Sequence, residues 1–178
     1  PELVPGRQLV DFGPVEVGRQ GGTTLWVRNG GNDPLHLESV TAEGAFSYKG
    51  AQETVVPAGD SLGLALVYAP DKVGALRGEL LLRSSDPLAP LRRIQVRGLG
   101  ATARAPILPS RIDLGRVAVS QRQERVVQVH NTGLVQLRLD DIGGGDPQVQ
   151  VKPRSLHLSP GQSADLRLRF APRRHGGI

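Results

Sequence analysis

The chain has no cysteine and no methionine, and six of its 178 residues are aromatic. Without cysteine, disulfides, thiolate zinc sites, iron–sulfur ligation and a thiol nucleophile are all excluded. No apolar run approaches the ~20 residues that a membrane-spanning helix requires, and no stretch has the pattern of a secretory signal. The sequence opens on Pro1 without an initiator Met, so it reads as a piece of a longer polypeptide. Catalytic signatures are missing too. The four histidines, His36, His130, His157 and His175, stand in no H-E-x-x-H pattern, and neither G-x-S-x-G nor G-x-x-x-x-G-K occurs. Asp140, Asp141 and Asp146 flank a glycine triplet, but their spacing fits no EF-hand, and a solvated turn accounts for them. No enzyme activity, metal or cofactor is expected.

What is present is short-period alternation. Leu62, Leu64, Leu66 and Tyr68 alternate with Ser61, Gly63, Ala65 and Val67, and one apolar face every second residue marks a half-buried strand. Such runs are separated by NGGNDP, VPAGDS, APDKVG, SSDPLAP and NTG, which are turn chemistries, and no long helical stripe appears. The pattern also occurs twice. A shift of 102 residues lays the chain on itself without a gap: Phe12-Gly13 on Leu114-Gly115, Asn29-Gly30-Gly31 on Asn131-Thr132-Gly133, and Tyr68-Ala69-Pro70 on Phe170-Ala171-Pro172. Short strands at this spacing predict an all-β chain of tandem immunoglobulin-like antiparallel β-sandwiches. The expected division is a first sandwich over 1–100, a linker over 101–108 and a second sandwich over 109–178.

The wording of the first copy narrows the class. Phe12-Gly13 and Gly18, the Asn29-x-Gly31 corner, Pro57-x-Gly59 before a strand and Tyr68-x-Pro70 after it, Ser85-Asp86-Pro87, and the closing Gly98-x-Gly100 together resemble the ASH domain of abnormal-spindle and hydin proteins. Its bacterial relatives are the choice-of-anchor D domains, within the major sperm protein superfamily. The resemblance covers copy one and most of copy two, which departs at Leu114 and Ser120. It implies an interaction module or scaffold of the bacterial envelope (periplasm or surface), or of a eukaryotic cilium or centrosome. Arginine over lysine, with dense Gly and Pro, leans toward the bacterial setting. The hallmarks themselves have structural readings. Asn-x-Gly is expected to supply a turn that accepts positive φ.

Charge is unevenly placed. Residues 1–102 carry ten basic and eleven acidic side chains, whereas residues 103–178 carry twelve and six, so the net +5 belongs to the second copy. Alternation turns Arg138, Arg167 and Arg169 outward, and Arg173 and Arg174 follow directly. This is a candidate cationic face for an acidic protein, an anionic polysaccharide or phospholipid, or simply a solvated arginine-rich surface. Nucleic acid is not expected, because no stacking aromatics share that face. In the first copy Trp26 falls between inward Leu25 and Val27 and should face out, as an interface anchor or under the linker or the other repeat.

Copy two has no counterparts of Arg77–Ser84 and Arg92–Gly98, so it is expected to be C-terminally incomplete. Either the polypeptide continues past Ile178, the simpler reading, or a strand-donating chain completes the sheet by β-augmentation. The sequence thus points to a non-enzymatic structural and protein-interaction module of a larger protein or assembly. An accessory domain binding carbohydrate or another anionic polymer is the alternative.

Overall fold

The computed structural model describes residues 1–108, 111–119 and 121–173. Among them the regular elements are all strands: β1 Leu3–Pro5, β2 Leu9–Glu16, β3 Gly21–Asn29, β4 Leu35–Ala42, β5 Phe46–Tyr48, β6 Thr54–Val56, β7 Ser61–Tyr68, β8 Gly74–Ser84, β9 Leu91–Ala101, β10 Ile107–Leu108, β11 Gln123–His130, β12 Leu137–Leu139, β13 Val149–Lys152, β14 Leu156–Leu158 and β15 Ser163–Phe170. Among the described residues no helix is long and apolar enough to cross a membrane. The chain divides into two compact units, Pro1–Ala101 and Thr102–Ile178. Of residues 101–108, Ala101 ends β9 and Ile107–Leu108 form β10.

Unit 1 is a sandwich of a four-stranded sheet, β1-β3-β7-β5, and a five-stranded sheet, β2-β9-β8-β4-β6. All its pairs are antiparallel except β2 with β9, which run parallel. The period of two puts Leu25, Val27, Leu64, Leu66 and Tyr68 of one sheet against Val10, Leu35, Leu37, Leu80, Leu82, Ile94 and Val96 of the other, all buried. Each such side chain contributes roughly 1.5–3 kcal/mol. Phe12, Phe46 and Tyr68 form an aromatic cluster, with Phe46 and Tyr68 stacked at 4.9 Å. Burial raises the pKa of the Tyr68 phenol, and the Asp71 charge adds to the effect. The Tyr68 ring lies directly on Gly98, where a β-carbon would overlap it. The closing Gly98 of the motif is therefore a space requirement.

Unit 2 repeats the first sheet as β10-β11-β15-β13, facing the pair β12-β14. Val129, Val151, Leu166, Leu137 and Leu158 form its core. The pairing Ile107↔Val129 repeats Pro5↔Val27 at the same offset. The ungapped superposition slips by one residue at β13. Phe46 pairs with Tyr68, but Val149 pairs with Phe170, so β13 is displaced by one residue relative to β5. Among the described residues β12 has β14 as its one partner, whereas β4 lies between β6 and β8. Residues 111–118, which match β2, form no strand.

The Asn-x-Gly corner works differently from the sequence expectation. Gly30, Gly31 and Gly133 do not have positive φ. Instead Asn29 is fully buried, and its Nδ2 donates to the carbonyls of Asp33 and Val56 at 2.8 and 3.0 Å. Its Oδ1 accepts the N–H groups of Gly31 and Glu2 at 3.0 and 3.2 Å. Asn131 repeats the clamp with Val135, Leu158 and Gly133. Glycine follows because the backbone passes close: a β-carbon at 31 would stand 2.8 Å from Pro1, and one at 133 would stand 2.6 Å from the Arg104 nitrogen.

Ser85-Asp86-Pro87 has a similar internal role. Asp86, 1% exposed, accepts the N–H groups of Leu3, Leu88 and Ala89 at 3.0 to 3.2 Å, with the Arg92 guanidinium 3.8 Å away. Burial alone would raise its pKa. The three N–H donors and Arg92 outweigh that and hold the carboxyl below its ordinary value. Through Leu3 it ties β1 to the turn after β8.

Candidate interaction surfaces

In unit 1 the outer face of β1-β3-β7-β5 is built mostly of small residues. Thr24 lies opposite Ala65 and Trp26 opposite Gly63. Trp26 is 59% exposed. Its ring lies across Gly63, so that a β-carbon there would be 3.3 Å from the indole carbons Cη2 and Cζ3. The far end of the indole thereby rests against the sheet, and more than half of the side chain stays open to solvent. Exposed Val4 extends the apolar area along β1. Two arginines border it: Arg7 donates to the Thr24 carbonyl at 2.6 Å, and Arg28 Nε to the Gly59 carbonyl at 3.2 Å.

The equivalent face of unit 2 has the opposite character. Rows across β11, β15 and β13 read Glu124–Arg169–Gln150 and Val126–Arg167–Lys152. The same positions on β7 are Val67 and Ala65. Glu124 lies 3.7 Å from Arg169 Nε, with both groups substantially exposed, so the pair contributes little.

The candidate arginines do not form one surface. Arg167 and Arg169 share the outer face of β15, and Arg173 follows directly, its N–H held by Gln148 Oε1 at 2.8 Å. Arg138 is exposed on β12, in the other sheet, where it donates to Gln136. Alternation told which way Arg138 points, but not to which sheet its strand belongs. Arg174 lies outside the described residues. Arg122, overlooked in the sequence because it precedes β11 and has no alternating neighbours, lines the same depression as Arg169 and Arg173.

Among the described residues no nucleophile, base and orienting acid are joined by side-chain hydrogen bonds. The nearest arrangement is His130 Nδ1 with Ser163 Oγ at 2.7 Å, a cross-strand pair for which no acid is seen to orient the imidazole. Asp146 Oδ1 accepts the Gln148 N–H at 2.7 Å as a turn cap. Among the described residues no three His, Asp or Glu side chains gather where they could hold a metal.

The family model of the HYDIN/CFA65/VesB-like Ig-like domain matches residues 1–99 and again residues 107–178. The chain belongs to this family. It is an ASH-type immunoglobulin-like chain, as the motifs of copy one implied. No curated protein sequence matches it. Among solved structures, a Porphyromonas gingivalis W83 protein of unknown function is 18% identical with a TM-score of 0.49, the match covering 96% of this chain and 84% of that one. The ASH/PapD-like domain 7 of human CEP192 is 14% identical with a TM-score of 0.47, over 57% and 87%. The secreted serine protease VesC of Vibrio cholerae is 14% identical with a TM-score of 0.43, over 90% of this chain and 45% of the protease. At these identities the likeness is one of fold. For this HYDIN/CFA65/VesB-like chain, function has to be read from its own faces.

Proposed function

We propose that this chain is a non-enzymatic interaction module, one that docks proteins within a larger protein or assembly. The observation that carries the reading is Trp26: a large apolar side chain, 59% exposed, on a sheet face built mostly of small residues. Aromatic side chains so placed are the usual anchors of protein interfaces. Unit 2 supports a second contact. Among the described residues β12 pairs with β14 alone, and its other edge offers backbone N–H and C=O groups to a strand, from a longer form of this polypeptide or from another chain. We place the protein in the bacterial envelope on its arginine-rich, lysine-poor composition, with a cilium or centrosome as the alternative; fractionation of the source cells decides between them.

The indole gives a second reading some weight. An exposed indole on a sheet face is also what sugar stacking needs, so a carbohydrate-binding accessory role is the competitor. Retention on immobilised envelope glycans and capture of proteins from the source organism, each with wild type and Trp26→Ala, separate the two. Protein capture lost in Trp26→Ala, with no glycan retention by either form, supports docking. Glycan retention abolished by the substitution establishes the competitor. Capture unchanged by the substitution removes Trp26 as the anchor.

A further inference from the structure

We infer that Arg122, Arg169 and Arg173 form an oxyanion site, which takes one phosphate or sulfate group. The three line a depression of about 160 Å3 together with Gln148 and Gln150. That is below the roughly 300 Å3 at which pockets enclose whole small molecules, so the site suits a single charged group. The guanidinium fork matches paired oxygens of such a group, and its hydrogen bonds to an anion are about twice as strong as neutral ones. The amide side chains of Gln148 and Gln150 add donors.

The groove is held in shape by its backbone. Asp146 caps the Gln148 N–H at 2.7 Å, the Gln148 carbonyl accepts from Ala171 at 3.0 Å, and Gln148 Oε1 accepts from Arg173 at 2.8 Å. Arg169 stands on the middle strand of three, in register with Glu124 on one side and Gln150 on the other. Among the described residues the acids on this face are Glu124, at 3.7 Å from Arg169, and Asp165, further along β15. Three arginines therefore line one depression, beside the Glu124 carboxylate and the Asp146 carboxylate that caps Gln148. An anion bound there relieves their mutual repulsion as well as gaining hydrogen bonds.

The groove is not a property of the repeated scaffold. At the 102-residue offset the three arginines correspond to Gln20, Val67 and Asp71, and the register places Ser47 where β13 has Gln150. One copy of a duplicated sheet carries the cationic set and the other carries none of it. This site is independent of the Trp26 face and stands or falls separately.

The test is titration of the 178-residue protein with sodium phosphate and sodium sulfate, against sodium chloride at matched ionic strength. It is read as amide chemical-shift changes of Gln148 and Gln150 and as a rise in unit 2 thermal stability. Saturable shifts with phosphate or sulfate and none with chloride are expected. Arg122→Gln, Arg169→Gln and Arg173→Gln should each weaken binding about tenfold, while Arg138→Gln on the other sheet changes nothing. Arg122, Arg138 and Arg173 are exposed and Arg169 is half-buried, so the variants should fold. Dextran sulfate in a parallel arm separates the sources: tighter binding than inorganic sulfate at equal sulfate concentration assigns the site to a polymer-borne ester, and equal binding assigns it to the free anion. Chloride acting as well as phosphate, or Arg138→Gln weakening binding as much as Arg169→Gln, overturns the inference.

Discussion

Removing the Asn29 side chain should cost unit 1 about 4 kcal/mol. The buried amide satisfies four backbone groups at 2.8 to 3.2 Å: the carbonyls of Asp33 and Val56 and the N–H groups of Gly31 and Glu2. In Asn29→Ala the Val56 carbonyl is left in a dry environment, which costs about 1–3 kcal/mol. The other three bonds are partly buried, so water recovers part of each and the loss is about 0.5–1.5 kcal/mol apiece. With a urea m-value of about 2 kcal/mol per M for a unit of this size, the unfolding midpoint should fall by about 2 M. Urea unfolding of the whole chain, followed by fluorescence of the single tryptophan, Trp26, reads this directly, since both residues lie on β3. Asn29→Asp keeps the acceptor and removes both donors, and should lose at least as much at neutral pH. A midpoint shift below about 0.5 M with an unchanged slope would refute the clamp and return Asn-x-Gly to the status of an ordinary turn.

Three further outcomes are expected. The Asp86 carboxyl is held below its unfolded value, so its contribution to stability is complete above the unfolded carboxylate pKa near 3.9 and is lost as pH falls through the lower folded value. Urea midpoints at pH 6 and pH 2 should therefore differ more in wild type than in Asp86→Asn. Gly98→Ala drives a methyl into the Tyr68 ring and should destabilise unit 1 by about 1–3 kcal/mol, with Tyr68→Leu restoring part of the loss in a double-mutant cycle. Trp26→Ala should leave thermal stability within about 0.5 kcal/mol of wild type, because the side chain is exposed, while it removes partner binding; calorimetry beside the capture assay checks both.

Much of the architecture was legible because a period of two and a 102-residue repeat are both written in apolar positions. Strands β3, β7, β11 and β15, long and alternating, could be placed from their residues alone. The short β1 and β10, three and two residues long, could not, since no alternation develops over so few positions. Asn29 and Asp86 looked like surface turn chemistry because their types are common in turns, and only the packed structure reveals that both are buried acceptors for distant backbone. For the arginines, alternation decides in or out but not which strand lies beside which. Grouping Arg122 with Arg169 and Arg173, and separating Arg138 from them, needs the sheet order, which depends on contacts far apart in sequence.

The parallel pairing of β2 with β9 has a mechanical consequence. The register from Leu9↔Gln95 to Glu16↔Ala101 joins a strand near the start of unit 1 to the strand at its end. A pull on the two ends of the unit drags these neighbours in opposite senses along their common axis. The ladder between them is then loaded in shear, and its bonds share the force rather than opening one at a time as a zipper does. A unit strung between partners in this way yields late and abruptly, and extends little before it does.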